Sequence, residues 1–581
     1  MNLSRRPFSS LFDKLLSLIE TPAPSDRTLL RVLFFATIFS GIFLLFTISS
    51  HFASPTPISG GTLREGLVGT PRFINPTLAT TRVDQDLTAL IYRGLMKIDG
   101  TGTLVPDAAE SITISEDGLT YNVIVRKDIR FHDDKPLTAR DVVFTIQTIQ
   151  NPDLKSPLRG NWSDITVEEI GEYEFNVVLT EPYAPFIENF QFGILPAHLW
   201  SSLPTEQIPF SQLNTEPIGA GPFALKSAVR DESGVIDHYV FTSFKDNPDA
   251  PNINTFELYF YTEETLLIEA LKKHAIDASA YVSNENLASL TADKDYIVHQ
   301  SPLPRVFGIF LNQNKSAALR DPAVREALSI AIDRDVLIDS ALGGQGFPIF
   351  GPVASENDAL QSGDGSYPTA STSPSVERAK TLLTEAGWLP NNLGLLEKQI
   401  DGSAETLSLT LRTSNAPLFE PMTEHIIEKW KAIGVEVSVE QFEQSGLVQS
   451  VIRPRDFQGL LFGLDMSRSG DLYPFWHSSQ KDDPGLNIAQ YTNLTVDTLL
   501  GKARTEQNAE ARKAALQEAS TIIASERPAI FLFQPMMTYV VAEDVIVTES
   551  KNIAKPSDRF STVNEWYTDS DTLWNVFHNR N

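Results

Sequence analysis

The chain has 581 residues, room for three or more domains or for two large lobes at roughly 100 to 200 residues per domain. Its 42% hydrophobic and 21% charged residues are those of a globular protein, and 74 acidic against 47 basic residues, a formal charge of -27, exclude nucleic acid and a polybasic membrane contact as natural partners. Cysteine is absent, which removes disulfides, thiolate metal sites, a cysteine nucleophile and a lipid-modified N-terminal cysteine together.

The first element is an apolar run, "VLFFATIFSGIFLLFTISS" from Val32 to Ser50. It is uncharged, and at about 1.5 Å per residue it reaches roughly 28 Å, close to the hydrocarbon thickness of a bilayer. A cleaved signal peptide would have an apolar region of about 7 to 15 residues behind a short basic head. Here residues 1–31 precede the run, and "SSHFAS" after it lacks a good small-x-small cleavage site. Arg5, Arg6, Lys14, Arg27 and Arg31 lie before the run, whereas no Lys or Arg follows until Arg64. The positive-inside rule therefore predicts residues 1–31 in the cytoplasm, residues 32–50 as a single transmembrane anchor, and the rest of the chain outside. Residues 51–60, with "SPTPISGG" at Ser54 to Gly61, read as a short stiff linker.

Beyond the linker helices and strands alternate, which predicts an α/β architecture. "GGTLREGLVG" is a short strand, and "DQDLTALIYRGLMKID" spaces Leu87, Leu90, Ile91 and Leu95 as one helix face. "LTYNVIVRKDIRF" alternates Tyr121, Val123 and Val125 as a half-buried strand does. The following "RFHDDKPLTARDVVFTI" places His132, Asp133 and Asp134 in a corner, with Thr138 and Asp141 in capping-box positions for the next helix. A metal site there would need further converging ligands, which the sequence does not supply.

"DPAVREALSIAIDR" is a helix capped by Asp321 with Pro322 in its first turn, and "SPSVERAKTLLTEAGW" runs from Ser373-Pro374 to a C′ glycine at Gly387. "PMTEHIIEKWKAIGVEVSVE" is a helix, a stop at Gly434 and a strand. "FQGLLFGL" and "PAIFLFQPMMTYVV" are short apolar runs suited to buried strands, with a helix near residues 505–525 between them.

Five stretches together carry a resemblance: "GGTLREGLVGTPRFINP", the segment from "IYRGLMKIDG" through "FHDDKPLTARDVVF", "IGAGPFAL", "DPAVREALSIAIDRDVLI" and "FWHSSQ". The chain resembles the extracellular solute-binding proteins of oligopeptide, dipeptide and nickel ABC importers, from Gly60 to about Phe533. That resemblance implies a periplasmic-binding-protein-like clamp of two α/β lobes joined by two crossing strands. The first lobe would be discontinuous, residues 58–303 plus 530–581, and the second would be 304–529. It also implies a function: capture of a peptide or similar small solute between the lobes, outside the cytoplasm, and delivery to permease and ATPase subunits. An anchored peptide receptor that senses without import, and a binder of a chelated metal such as nickel, stay open as alternatives.

Two stretches are candidates for the pocket. By the resemblance, the loop after "NP" reaches the ligand, with Thr80, Thr81 and Arg82 nearest. "FGLDMSRSGDLYPFW" leaves the carboxyl end of a predicted strand, where open α/β sheets bind ligands. There Gly463 permits close backbone approach, and Asp465, Arg468, Asp471 and Trp476 offer charge and a flat apolar surface. Asp471 also suits a cap for a helix near Tyr473-Pro474, and Trp476 also suits a core. Peptide-binding relatives hold the peptide ammonium with an aspartate three residues before an acidic-Pro pair. Aligned on Asp471, that position holds Arg468, and Leu472 stands for the proline. An arginine repels an ammonium and suits a carboxylate or phosphate.

No enzyme is expected. The sequence has no Gly-x-Ser-x-Gly elbow, no His-Glu-x-x-His and no phosphate-cradling Gly-rich loop ending in Lys. Its nine histidines are scattered, so neither a cofactor nor a directly bound metal is expected, although a chelate held by arginines stays open.

Overall fold

The computed structural model describes residues 32–44, 53–291, 295–352, 375–392, 394–568 and 570–574. The chain divides into two compact units: one made from both ends, Met1–Ile58 with Asp569–Asn581, and one from Ser59–Thr568.

In the unit made from the ends, residues 32–44 are helical. The remainder of the predicted span, residues 45–50, lies outside the described residues, as do residues 1–31. Among the described residues no helix is long and apolar enough to cross a membrane. The predicted linker is not all tether: Ala53–Pro57 is a strand paired antiparallel with Ser570–Trp574, Ala53 opposite Trp574. Pro55 and Pro57 are two apart, so both missing amide donors fall on one side of the strand, which an edge strand can spare.

The Ser59–Thr568 unit is built on a mixed sheet in two halves. In one half Gly60–Val68 lies parallel to Ile253–Tyr261, which continues antiparallel to Ile236–Ser243 and then Phe223–Arg230. In the other half Glu436–Phe442, Ser408–Ser414 and Gly459–Asp465 run parallel, and Arg305–Leu311 is antiparallel to the last of these. Two strands cross from half to half. Ala529–Ala542 is 14 residues long; its first part pairs with Arg305–Leu311 and its second with Tyr296–Pro302. Tyr296–Pro302 and Arg305–Leu311 are successive, so the second crossing is at Leu303-Pro304. Pro535 sits at the crossing of the long strand, where its carbonyl accepts the Leu303 amide.

Helices cover both halves, so the molecule is two-lobed and α/β. In the second half both sheet faces are buried, and the strand side chains alternate between two cores. Phe307, Ile309 and Leu311 enter one, Val306 and Phe310 the other. A four-stranded antiparallel sheet, Ala109–Ile114, Thr120–Val125, Glu174–Val178 and Thr166–Gly171, forms a separate core with the helix Ala139–Gln150.

Most of the local signals hold. The Asp141 carboxylate accepts from the Thr138 amide at 2.9 Å, and Asp321 caps Pro322–Ile330 through the Ala323 amide. Gly387 and Gly434 end their helices with positive φ, 87° and 86°. One boundary differs. Where a helix near residues 505–525 is expected there are two, Leu494–Thr505 and Ala509–Glu526, each begun by its own asparagine cap, Asn493 and Asn508. The helix expected from Ser373-Pro374 is described from Val376, with Ser375 as its cap; residues 373 and 374 lie outside the described residues.

The His132–Asp134 corner is structural. The Gly219 amide donates to Nδ1 of His132 at 3.3 Å, and Nε2 lies 3.1 Å from the Gly221 carbonyl, so the ring is held as a neutral tautomer. Asp134 takes positive φ, 65°, and Asp133 pairs with His198 at 2.7 Å.

Candidate functional site

A cavity of about 530 Å3 opens in the first lobe. One wall is the turn at Ala79-Thr80 with the helix Arg82–Ile91 and the chain beyond it; another is the segment from Ala554 to Asn564. The turn is fixed from below. Thr81 accepts the Asp84 amide as N-cap at 3.1 Å, while the buried Asp84 carboxylate accepts the amides of Arg72 and Phe73 at 2.8 and 2.9 Å. The opposite wall is fixed by a buried ion triad. Arg559 donates to Glu65 at 2.6 Å and to Asp86 at 2.8 Å, and those carboxylates also accept the hydroxyls of Tyr539 and Tyr281. Burial pushes the Glu65 carboxyl up, and Arg559 opposes that shift.

Two cations and two carboxylates close on one another inside the cavity. Arg93 and Lys97 each pair with both Asp107 and Asp249, at separations up to 3.6 Å. Burial alone would raise the Asp249 carboxyl, but Lys97 and Arg93 outweigh it and hold the group below the usual carboxylate range.

The other lobe reaches this cavity through one loop, which follows the strand Gly459–Asp465. Arg468 lines the cavity and donates through Nη2 to Asp558 at 2.6 Å and through Nη1 to the Asn552 carbonyl. The Arg468 and Asp558 side chains are 6% and 11% exposed. Nε of Arg468 is buried with no hydrogen-bond partner among the described residues. Next in the loop, the amide and hydroxyl of Ser469 bond Glu188, whose carboxyl burial pushes up despite them. Asp471 then accepts the Tyr183 hydroxyl and Arg504 Nε, each at 3.2 Å. The Arg504 guanidinium lies 4.7 Å over the ring of Tyr183 and 4.3 Å over that of Tyr473. The loop Asp465–Asp471 thus touches the first lobe at Asp558, Glu188 and Tyr183.

The candidate residues divide on this geometry. Thr80 and Arg468 share the cavity; Thr81 caps the helix beneath it. Asp471 accepts the Tyr473 amide at 3.0 Å from one residue outside the N-cap, Leu472, of the helix Tyr473–Trp476, and bridges the lobes. Arg82 is the first residue of its helix and lines a separate shallow depression of about 330 Å3, its guanidinium 4.1 Å over Tyr281 and bonded to the Ala280 carbonyl. Gly463 gives way to a ring rather than to a cavity: a Cβ there would lie 2.9 Å from Phe307, which stacks on Phe533. Asp465 pairs with Arg305 at the surface, 74% exposed. Trp476, 2% exposed, packs against Phe531 in the core and does not line the 530 Å3 cavity. Asp558 and Glu188 were not among the candidates. Lys555-Pro556-Ser557-Asp558 carries a readable helix start, but nothing local signals that Arg468 meets it.

A two-lobed α/β body with a cavity in one lobe, roofed by a loop of the other, defines a class: proteins that hold a small solute between lobes. The sequence profile of the bacterial extracellular solute-binding proteins, family 5 (middle region), matches residues 103–484, and the chain belongs to that family. The oligopeptide-binding protein AppA of Bacillus subtilis is 28% identical over 499 residues, 82% of this chain and 87% of its own. The solved structure of that protein, in complex with a nonapeptide, superposes with a TM-score of 0.64 at 26% identity, covering 88% of this chain and 99% of the other. NikZ from Campylobacter jejuni, solved in complex with Ni(L-His), shares the fold at a TM-score of 0.63 and 24% identity, over 87% of this chain and 99% of its own. Among the described residues no three His, Asp or Glu side chains converge as metal ligands.

Proposed function

We propose that this protein is the membrane-anchored, extracytoplasmic solute-binding subunit of an ABC importer, which encloses a short peptide or similar small solute between its lobes and presents it to permease subunits. The observation that carries the reading is the loop Asp465–Asp471 meeting the wall of the 530 Å3 cavity, a volume within the range of small-ligand pockets. The likeness to AppA, over 82% of this chain, makes peptides the first solutes to test. The lobe boundary near residues 303–304 is supported by the crossing at Leu303, whereas the one expected near residues 529–530 is drawn a few residues later, at Pro535, because Ala529–Phe533 still pairs with Arg305–Leu311 of the second half. Anchoring through residues 32–50 rests on their hydropathy and on the charge asymmetry around them. The protein binds rather than transforms: its family is one of solute-binding proteins.

The test is a thermal-unfolding screen of the full chain in detergent against peptide pools, amino-acid conjugates and metal chelates. At a solute concentration of about 100 Kd, linkage stabilises the folded state by roughly 2.7 kcal/mol, about two degrees in midpoint for a chain of this length. A rise confined to peptides supports the reading, a rise confined to chelates replaces the solute class, and no rise with any class contradicts solute capture.

A further inference from the structure

Among the described residues that line the cavity, Arg468 is the only one contributed by the second lobe. Its bonding is unbalanced. Of the guanidinium nitrogens, Nη1 and Nη2 meet the Asn552 carbonyl and Asp558, while Nε, buried, has no partner. Asp558 by contrast has donors to spare. Its Oδ2 also accepts the amides of Ala554 at 2.8 Å and Lys555 at 3.2 Å, as the first turn of the 3-10 helix Pro556–Glu565 requires. If Arg468 turns away, Asp558 keeps two backbone hydrogen bonds and its structural task. The pair is therefore built to exchange on the arginine side.

The charges around it point the same way. Arg93 and Lys97 are neutralised by Asp107 and Asp249 within the first lobe. What remains at the cavity wall is Arg468 and Lys555 against Asp558 and Glu188. Burial pushes the Glu188 carboxyl up, against the bonds from Ser469 and the attraction of Arg468. A planar guanidinium fork with a free donor, at the end of a half-neutralised cavity, matches a carboxylate better than any neutral or cationic group.

We propose that the solute presents a carboxylate to Arg468, displacing Asp558, so that Arg468 sets the charge specificity of the cavity and Asp558 is its internal competitor. The inference rests on the reading that the cavity holds the imported solute, and it narrows that solute to one bearing a free acid. Asp465, also in the loop, does not compete, because it is engaged with Arg305 at the surface.

The experiment uses the full chain in detergent at pH 7, dialysed against a randomised tripeptide mixture and, separately, against the same mixture as C-terminal amides, with retention read by mass spectrometry. The acid mixture is expected to be retained about tenfold to a hundredfold more strongly than the amides, the span of one charge-assisted hydrogen-bonded contact. Arg468→Gln erases that preference, Arg468→Lys keeps part of it because the charge remains, and Asp558→Asn strengthens retention of the acids. Circular dichroism on each variant shows that it is folded before its retention is read, and Asp558→Asn tests the exchange even where Arg468→Gln does not fold. Equal retention of acids and amides by the unsubstituted chain, or a preference that survives Arg468→Gln, overturns the inference and leaves peptide capture standing. Retention of neither mixture overturns the peptide reading and this inference with it.

Discussion

Arg468 and His132 show how far apart two charged-looking residues can be in role. Arg468 is buried with a donor to spare at a cavity wall. His132 has both ring nitrogens engaged, and burial, opposed by its bond to Gly221, pulls its pKa from the ordinary 6.5 to about 4. Between those two values the unfolded chain binds a proton at His132 that the folded chain refuses. This histidine therefore takes stability away as pH falls from 6.5 toward 4, and the loss is complete below that window. His132→Gln keeps a donor for the Gly221 carbonyl and removes the titration. Urea midpoints measured from pH 7 to pH 4 should fall less steeply in His132→Gln than in the parent chain; parallel curves would contradict the assignment.

The segment Pro556–Glu565 is the element on which the site depends, since it supplies Asp558 to the cavity and Arg559 to the buried triad one residue later. Glu65 and Asp86 are fully buried, and Arg559 is their shared cation. Arg559→Met leaves two carboxylates without that cation and is expected to cost about 3 to 5 kcal/mol in chemical denaturation, the penalty for breaking a buried ion pair from one side. Losing less than about 1 kcal/mol would mean that the triad does not hold this wall. The segment also marks the limit of what sequence shows. Elements with a local signature are readable: Thr138 with Asp141, Asp321 with Pro322, Gly387 and Gly434 each announce an end of a helix. The long strand Ala529–Ala542 is readable from its apolar run even across Pro535. The break between Leu494–Thr505 and Ala509–Glu526 is missed because the helical pattern resumes within a few residues and the Asn508 cap is a weak cue by itself.

At the scale of the molecule, the two-lobed architecture follows from alternating helices and strands and from two strands that cross, and the family resemblance supplies their pairing. The site is legible only in part. Thr80 and Arg468 fall at the cavity because the turn after "NP" and the loop after the strand Gly459–Asp465 both leave sheet ends. Asp465 and Trp476 lie in the same stretch yet face the surface and the core, since residues a few positions apart in a loop point in different directions. The Arg468–Asp558 pair joins residues 90 apart, and no periodicity or cap encodes such a contact.

The central claim is that the two lobes close over a solute, and the absence of cysteine makes it directly measurable. Ser227 and Ser438 are exposed, on the two outermost strands of the sheet order, Phe223–Arg230 and Glu436–Phe442. Changing both to cysteine allows a pair of spin labels to be attached at those sites alone. Pulsed electron resonance then reads the distance between lobes with and without the solute class that raises the melting point. The account predicts a distribution that shifts and narrows when that solute is added. A single unchanged distance under saturating solute would contradict closure of the lobes as the means of capture.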